Sequence, residues 1–172
     1  MRAGHTRRTL LIGLGGCLAV VAASADRAPR LLLNTTASAP EGLYWVSPGR
    51  YALGDFVAVD PPPALASWMA SRGYLPANIP LLKVVVAVNG QLVCGTEDGF
   101  FVDGRRLARA KARDRWGRAL PIYRGCETVS VDDVVIVNTG APDSLDSRYF
   151  GPIPARGVIG RARPFWTWEV HR

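Results

Sequence analysis

Pro80-Leu81-Leu82-Lys83-Val84-Val85-Val86-Ala87-Val88-Asn89-Gly90 is an apolar strand with one lysine in its interior, followed by a turn signal. Side chains alternate between the two faces of a strand, so Lys83 has apolar neighbours whichever face points inward. Burial disfavours the ammonium form and can lower the pKa of a lysine from about 10.4 toward about 7–8. Lys83 is therefore a candidate general base. The alternative is a lysine that protects an edge strand from aggregation.

The segments on both sides of this strand also predict a β protein, because short apolar stretches alternate with turn residues. Three hairpins are predicted: residues 43–46 with 55–59 across Ser47-Pro48-Gly49-Arg50, residues 81–88 with 91–94 across Asn89-Gly90, and residues 100–102 with 105–107 across Asp103-Gly104. One short helix is predicted at residues 64–72, and further strands at 133–138 and 157–162. We therefore expect a mainly β fold of short twisted strands, closed or half closed.

The N-terminus carries a membrane signal. Arg2, Arg7 and Arg8 precede an apolar run at residues 9–25, a pattern that predicts export of the rest of the chain. We expect residues 1–8 to be a cytoplasmic basic segment, 9–25 a transmembrane anchor, 26–33 a linker and 34–172 a periplasmic domain. Ala23-Ser24-Ala25 also fits a cleavage site, so a removed signal peptide is the alternative reading of 9–25.

Composition excludes several classes of function. The net charge is +7, but the 21 Lys and Arg are scattered and not interleaved with aromatic residues, so we expect no nucleic acid as partner. Attraction to anionic lipid explains a basic surface equally well.

Cys94 and Cys126 lie in the predicted exported part, where oxidising conditions predict a disulfide between them. No Cys-x-x-Cys or His-rich cluster is present, so we expect no metal site and no cofactor.

Two further segments carry candidate site residues. The histidines, His5 and His171, lie near the two termini, which argues against a Ser–His–Asp arrangement. Ser38 is followed by Ala-Pro in an irregular stretch that proline keeps extended, so its hydroxyl can be presented outside regular structure; a plain Ser/Thr-rich linker is the alternative. In the segment 138–152, Asp146 and Arg148 can pair and fix a loop, and Ser144 can bond to a neighbour; an ordinary polar turn is the alternative.

In this order, the segments resemble the type I signal peptidase family. Ser38 in Ser-x-Pro resembles the nucleophile box, residues 54–59 the Gly-Asp strand, 82–85 the lysine box and 144–151 the final box. Residues 38–44 and 146–152 are similar to the conjugative-transfer branch of the family, the TraF proteins. The chain departs from the family after the lysine, where Val84 stands in place of the usual arginine and Ala87-Val88-Asn89-Gly90 in place of Gly-x-Pro-Gly-Asp.

The resemblance implies a signal-peptidase-like β-rich catalytic domain with one N-terminal transmembrane helix in the bacterial inner membrane, its catalytic domain in the periplasm. It implies Ser38 as nucleophile and Lys83 as general base. Ser144 would orient the lysine amine, Asp146 and Arg148 would brace the site, and Thr36 with the Ser38 N–H would bind the oxyanion.

The implied substrate is a pilin precursor, or another exported preprotein, of a conjugative type IV secretion system. The product would be linear or cyclised. Two alternatives stay open: a general leader peptidase with the same chemistry, and a non-catalytic periplasmic scaffold of the transfer apparatus.

Overall fold

The computed structural model describes residues 31–168, which form two antiparallel sheets. The larger has the strand order β1-β2-β11-β3-β4-β9-β10 and the smaller β7-β6-β5-β8. In chain order the strands are β1 (Leu31–Asn34), β2 (Glu41–Ser47), β3 (Phe56–Val59), β4 (Leu81–Ala87), β5 (Leu92–Gly95), β6 (Phe100–Val102), β7 (Arg105–Ala108), β8 (Gly125–Thr128), β9 (Asp133–Ile136), β10 (Ile153–Pro154) and β11 (Val158–Trp168). The prediction of a mainly β fold is confirmed.

Two short α-helices accompany the sheets in the described residues. Helix α1 (Pro63–Ser71) begins with a proline in its first turn, where the missing N–H has no helical partner to lose, and buries Met69 in the core. Helix α2 (Ser147–Phe150) is capped at its N-terminus by Asp146, whose carboxylate accepts a hydrogen bond from the Arg148 N–H. A single 3₁₀ turn (Ala155–Gly157) leads into β11.

Strand β4 lies inside the larger sheet, between β3 and β9, and its two faces contact different parts of the core. Leu81 and Val85 belong to a cluster with Val57 and Ile136, whereas Leu82 packs in another cluster that includes Ala39, Tyr44 and Val46. A strand buried on both faces explains the continuous apolar run in the sequence. It also places Lys83 among apolar side chains, as predicted.

Two of the three predicted hairpins are wrong. Strands β2 and β3 are separated by β11, which pairs with β2 through Ala162↔Val46 and with β3 through Arg161↔Val57. The chain does turn at Asn89-Gly90, but β4 and β5 then enter different sheets. The local turn signals were sound, yet a turn does not determine which strand the chain pairs with afterwards.

The third hairpin is confirmed, since β6 and β7 pair with Val102 opposite Arg105. Asp103 and Gly104 have φ values of 48° and 78°, the left-handed conformation that a tight two-residue turn requires. Within the same sheet, Cys94 of β5 lies opposite Cys126 of β8, and the structure joins them in a disulfide with a Cα–Cα distance of 4.1 Å.

The start of the domain differs from the predicted boundary. Residues 31–33, predicted as the end of a linker, lie in β1 and pair with β2. The predicted basic segment 1–8, the predicted anchor 9–25 and both histidines lie outside the described residues. Within residues 31–168, no helix is both long and apolar enough to cross a membrane.

Candidate active site

The turn between β1 and β2 presents Ser38, and the side chain of Asn34 organises this turn. The buried Asn34 Nδ2 donates to the carbonyl oxygens of Thr36, Ala39 and Pro40 at 3.0, 3.1 and 3.0 Å. Its Oδ1 accepts from the Thr36 N–H at 3.1 Å and from the Thr36 hydroxyl at 2.8 Å. The side-chain amide of Asn34 therefore closes the turn that contains Ser38 and also orients the Thr36 hydroxyl.

Lys83 reaches this turn from the middle of β4. Its side chain is 3 % exposed, and its Nζ lies 3.1 Å from Ser38 Oγ. Ser38 Oγ is in turn 3.1 Å from Thr36 Oγ1. Lysine, serine, threonine and Asn34 thus form a continuous chain of hydrogen bonds along which a proton on Ser38 can point either toward Thr36 or toward a neutral Lys83.

The environment of Lys83 shifts the equilibrium of its amine toward the neutral form. Burial lowers its pKa to about 8, while the nearby Asp146 acts to raise this pKa and Arg148 acts to lower it. An exposed lysine is almost wholly protonated at neutral pH, with a pKa of about 10.4. At neutral pH Lys83 is therefore still mostly protonated, but its neutral fraction is far larger than that of an exposed lysine, and a neutral amine next to a hydroxyl can remove its proton.

Asp146 and Arg148 form a fully buried ion pair next to this site. Arg148 Nε lies 2.8 Å from Asp146 Oδ1 and Nη2 lies 2.8 Å from Oδ2, a two-point contact of guanidinium with carboxylate. Arg148 Nη2 also donates to the carbonyl oxygens of Ala141 and Ser144, each at 2.9 Å. The structure contains the ion pair predicted from the sequence, and the pair holds the loop after β9 in place.

Ser144 is where the structure differs from the predicted site. It is buried, and it lines the same cleft as Ser38 and Lys83. Its Oγ has no hydrogen-bond partner among the described residues, so the predicted contact with the Lys83 amine is not formed. A buried hydroxyl without a partner is uncommon in folded proteins and is often found where a group has a functional role.

A cleft of about 590 Å³ contains these groups. Edge strand β1 and the Ser38 turn form one part of its lining, the start of β4 another, and the loop after β9 a third. Across the described residues, no three His, Cys, Asp or Glu side chains lie close enough together to hold a metal ion. The chemistry that the cleft can offer from its own residues is a serine nucleophile beside a partly neutral amine.

Sequence reasoning missed two residues of the site, Asn34 and Asn138. An asparagine side chain commonly bonds to the backbone two residues further on and so closes a turn, and Asn34 stands two residues before Thr36 at the start of the predicted irregular stretch that contains Ser38. The role of Asn34 could therefore have been predicted from the sequence. Asn138 bonds to groups 100 and 56 residues away, Ser38 and Leu82, and no local pattern marks such a role.

Comparison with known proteins places the chain in a family. The model for the family described as signal peptidase, peptidase S26, matches residues 7–167. The chain belongs to the signal peptidase family. The resemblance to signal peptidases stated from the sequence is thereby confirmed.

Individual relatives agree with the family. A plasmid transfer protein TraF of Escherichia coli is 34 % identical, over 94 % of this chain and 97 % of the relative. A conjugal transfer protein TraF of Agrobacterium fabrum is 35 % identical, over 80 % and 82 % of the two chains. The resemblance to TraF proteins is confirmed at this level. Among solved structures, a signal peptidase I from Enterococcus faecalis is 18 % identical, with a TM-score of 0.41, over 67 % of this chain and 98 % of the other.

Proposed function

We propose that this protein is a signal-peptidase-type serine endopeptidase that processes an exported pilin precursor in conjugative DNA transfer, with Ser38 as nucleophile and Lys83 as general base. The observation that carries the proposal is the 3.1 Å contact between Ser38 Oγ and a buried lysine amine at an open cleft. Family membership supports the peptidase chemistry, and the TraF relatives support the setting.

In the first step, neutral Lys83 takes the proton of Ser38 while Oγ attacks the scissile carbonyl carbon. The resulting oxyanion is bound by the Ser38 N–H and the Thr36 hydroxyl. The Thr36 hydroxyl donates to Asn34 Oδ1 in the absence of substrate, so it has to rotate toward the cleft to donate to the oxyanion. The Lys83 ammonium then gives its proton to the leaving amine, and an acyl-enzyme ester remains on Ser38.

In the second step, neutral Lys83 activates the group that resolves the ester. Water releases a linear product and restores the Ser38 hydroxyl. Attack by the N-terminal amine of the pilin itself gives a cyclic product instead, with the same proton transfers through Lys83. Ser144 is proposed to orient the lysine during the reaction, by a hydrogen bond that the substrate-free structure does not contain, because its buried and unpaired hydroxyl lines the same cleft and can accept from the ammonium.

The substrate is proposed to bind as an extended segment. Strand β1 is at the edge of the larger sheet and lines the cleft, so it can pair with an added strand. Small pockets would accept alanine-like side chains next to the scissile bond. The proposed setting is the periplasmic face of the inner membrane, with residues 9–25 as the anchor, where exported precursors are presented.

Mass spectrometry of the pilin precursor encoded by the same transfer system, with and without this protein, tests the proposal. Hydrolytic cleavage takes up one water, so it lowers the precursor mass by the mass of the released peptide minus one water, whereas cyclisation takes up none and lowers the precursor mass by the full mass of the released peptide. A non-catalytic scaffold predicts an unchanged precursor mass. An unchanged mass would contradict the proposal. A general leader peptidase is distinguished by rescue of a strain depleted of its own leader peptidase, which the proposed pilin-specific enzyme does not provide.

A further inference from the structure

Asn138 lies where the proposed nucleophile and base meet, and its side-chain amide bonds to the backbone of Ser38 and of Leu82 and Val84, the two residues that flank Lys83. Its Nδ2 donates to the carbonyl oxygen of Ser38 at 2.5 Å and to that of Leu82 at 3.1 Å. Its Oδ1 accepts from the Val84 N–H at 3.1 Å. Asn138 is buried, with 5 % of its surface exposed, so these bonds are shielded from water.

The contacts of Asn138 with β4 fall on both sides of Lys83. The chain after β9 still pairs with β4 at Val137, whose N–H donates to the Val84 carbonyl oxygen at 2.9 Å. At the next residue the side chain of Asn138 replaces the backbone, bonding to Leu82 and to Val84. The main chain that carries the lysine is therefore held immediately before and immediately after it.

The same amide also determines where Ser38 sits relative to that strand. Within the part of the chain that the structure describes, two hydrogen-bonded links join the Ser38 turn to β4: the Lys83–Ser38 contact itself and the bridge through Asn138. The first link changes as the proton moves during the reaction. The amide of Asn138 does not titrate, so its bridge does not depend on where that proton is.

The backbone of Asn138 is itself held by the buried ion pair of Asp146 and Arg148. Its backbone N–H donates to Asp146 Oδ2 at 3.1 Å, and Asp146 is held by Arg148. A rigid support of this kind keeps a side chain within the small tolerance that a reacting pair requires.

We infer that Asn138 is a positioning residue of the site, which holds the Ser38 backbone against the strand that carries Lys83. The inference rests on the proposed function and deepens it, because it identifies what keeps nucleophile and base in reacting geometry. Asn138 acts through the backbone of Ser38 and does not take part in proton transfer. A displacement of about 1 Å between reacting groups can lower a rate by about a hundredfold, so the loss of this bridge should slow the chemical step.

Three variants of the full-length protein test this inference. Asn138→Ala removes the amide. Asn138→Asp keeps the shape of the side chain and the oxygen that accepts from the Val84 N–H, but it replaces the donating nitrogen by an oxygen that faces the carbonyl groups of Ser38 and Leu82. Ser147→Ala is the matched control, because the Ser147 hydroxyl accepts a buried hydrogen bond from the Ile136 N–H of β9 at 3.0 Å and, among the described residues, makes no hydrogen bond to Ser38 or Lys83. Each protein, in excess over the pilin precursor, is assayed by mass spectrometry below the unfolding temperature of the least stable variant.

Both Asn138 variants are expected to lower the single-turnover rate constant by about tenfold to a hundredfold, with the enzyme concentration for half-maximal rate unchanged. Asn138→Asp should also move the midpoint of the pH–rate profile to higher pH, because its carboxylate favours the ammonium form of Lys83. Ser147→Ala should keep the parent rate and profile. These are effects that a purely structural contact does not produce.

The failures are distinguishable. If the parent cleaves and both Asn138 variants cleave as fast as Ser147→Ala, this inference is wrong and the proposed function stands. If the parent itself does not cleave, the proposed function is wrong and this inference with it. If Asn138→Ala does not fold, Asn138→Asp alone tests the inference, because it keeps the side-chain volume and the hydrogen bond from the Val84 N–H.

Discussion

Lys83 Nζ and Ser38 Oγ lie 3.1 Å apart although 45 positions separate the two residues in the chain. One comes from the interior of a central strand and the other from a turn after an edge strand, so the contact exists only in the folded sheet. A buried amine is costly unless it is neutral or partnered. The fold thus contains a lysine whose proton is held weakly, beside a hydroxyl that faces a cleft.

The rate of cleavage should follow the titration of Lys83. The pKa of its amine is lowered to about 8, chiefly by burial. Only the neutral amine can accept the Ser38 proton, so the single-turnover rate should be low in mildly acid solution, rise as pH passes through this value and then level off. Measurement of the rate constant against pH checks this. A profile that is flat across neutral and mildly alkaline pH would show that Lys83 is not the base.

Arg148→Met should damage both stability and the pH profile. It leaves the Asp146 carboxylate buried without its partner, which typically lowers the free energy of unfolding by about 3–5 kcal/mol. It also removes a positive charge that lowers the pKa of Lys83, so the midpoint of the profile should move to higher pH. Denaturant unfolding and the pH–rate profile measure the two effects. Unchanged stability together with an unchanged midpoint would contradict the bracing role.

Lys111→Met is the matched control for Arg148→Met. It breaks an ion pair with Asp143 whose side chains are 50 % and 79 % exposed. Exposed pairs contribute little, because water screens them and the side chains lose conformational freedom, so neither stability nor the midpoint should change appreciably.

Thr36→Val should slow cleavage, whereas Thr36→Ser should retain most activity. The threonine hydroxyl lies 3.1 Å from Ser38 Oγ and is the proposed second donor to the oxyanion. Loss of such a donor typically lowers turnover by about 10²–10³-fold, or about 2–4 kcal/mol of transition-state stabilisation, mainly in kcat. Thr35→Val, at an exposed neighbouring position, is the control. Parent-like single-turnover cleavage by Thr36→Val would remove Thr36 from the oxyanion site.

The disulfide between Cys94 and Cys126 should be present in protein isolated from its native cells. The two residues are 32 positions apart, and closure of a loop of this length contributes roughly 3–4 kcal/mol in the chain-entropy model. Thiol labelling without reductant should find both cysteines blocked, and paired replacement by serine should lower stability by about this amount without moving the pH–rate midpoint. Free thiols at both positions would contradict the pairing.

The sequence predicted those parts of the fold and site that have local signals. A lone lysine in an apolar run indicated a buried amine at Lys83, and Asp103-Gly104 indicated a tight turn with a left-handed backbone. The pairing of Asp146 with Arg148 was also predictable, as opposite charges two residues apart that can fix a loop, but the short helix that begins between them was not predicted.

The remaining features depend on contacts between distant parts of the chain. Strand β11 lies between β2 and β3 because residues much later in the chain pair with both strands, and nothing in Ser47-Pro48-Gly49-Arg50 indicates this pairing. The bridge from Asn138 to Ser38 spans 100 positions. Ser144 could be predicted to lie in the cleft through the family resemblance, but not that its hydroxyl would be without a partner there.

The most direct measurement is the mass of the pilin precursor after incubation with membranes that contain the parent, Ser38→Ala, Lys83→Ala or His171→Ala. His171→Ala is the control, because His171 is the one histidine of residues 34–172 and would be the base in a histidine-dependent mechanism. The parent and His171→Ala should convert the precursor to a product of lower mass, while Ser38→Ala and Lys83→Ala remain folded and leave it intact. Near-normal conversion at neutral pH by Lys83→Ala or Ser38→Ala would contradict the assignment of these two residues as base and nucleophile.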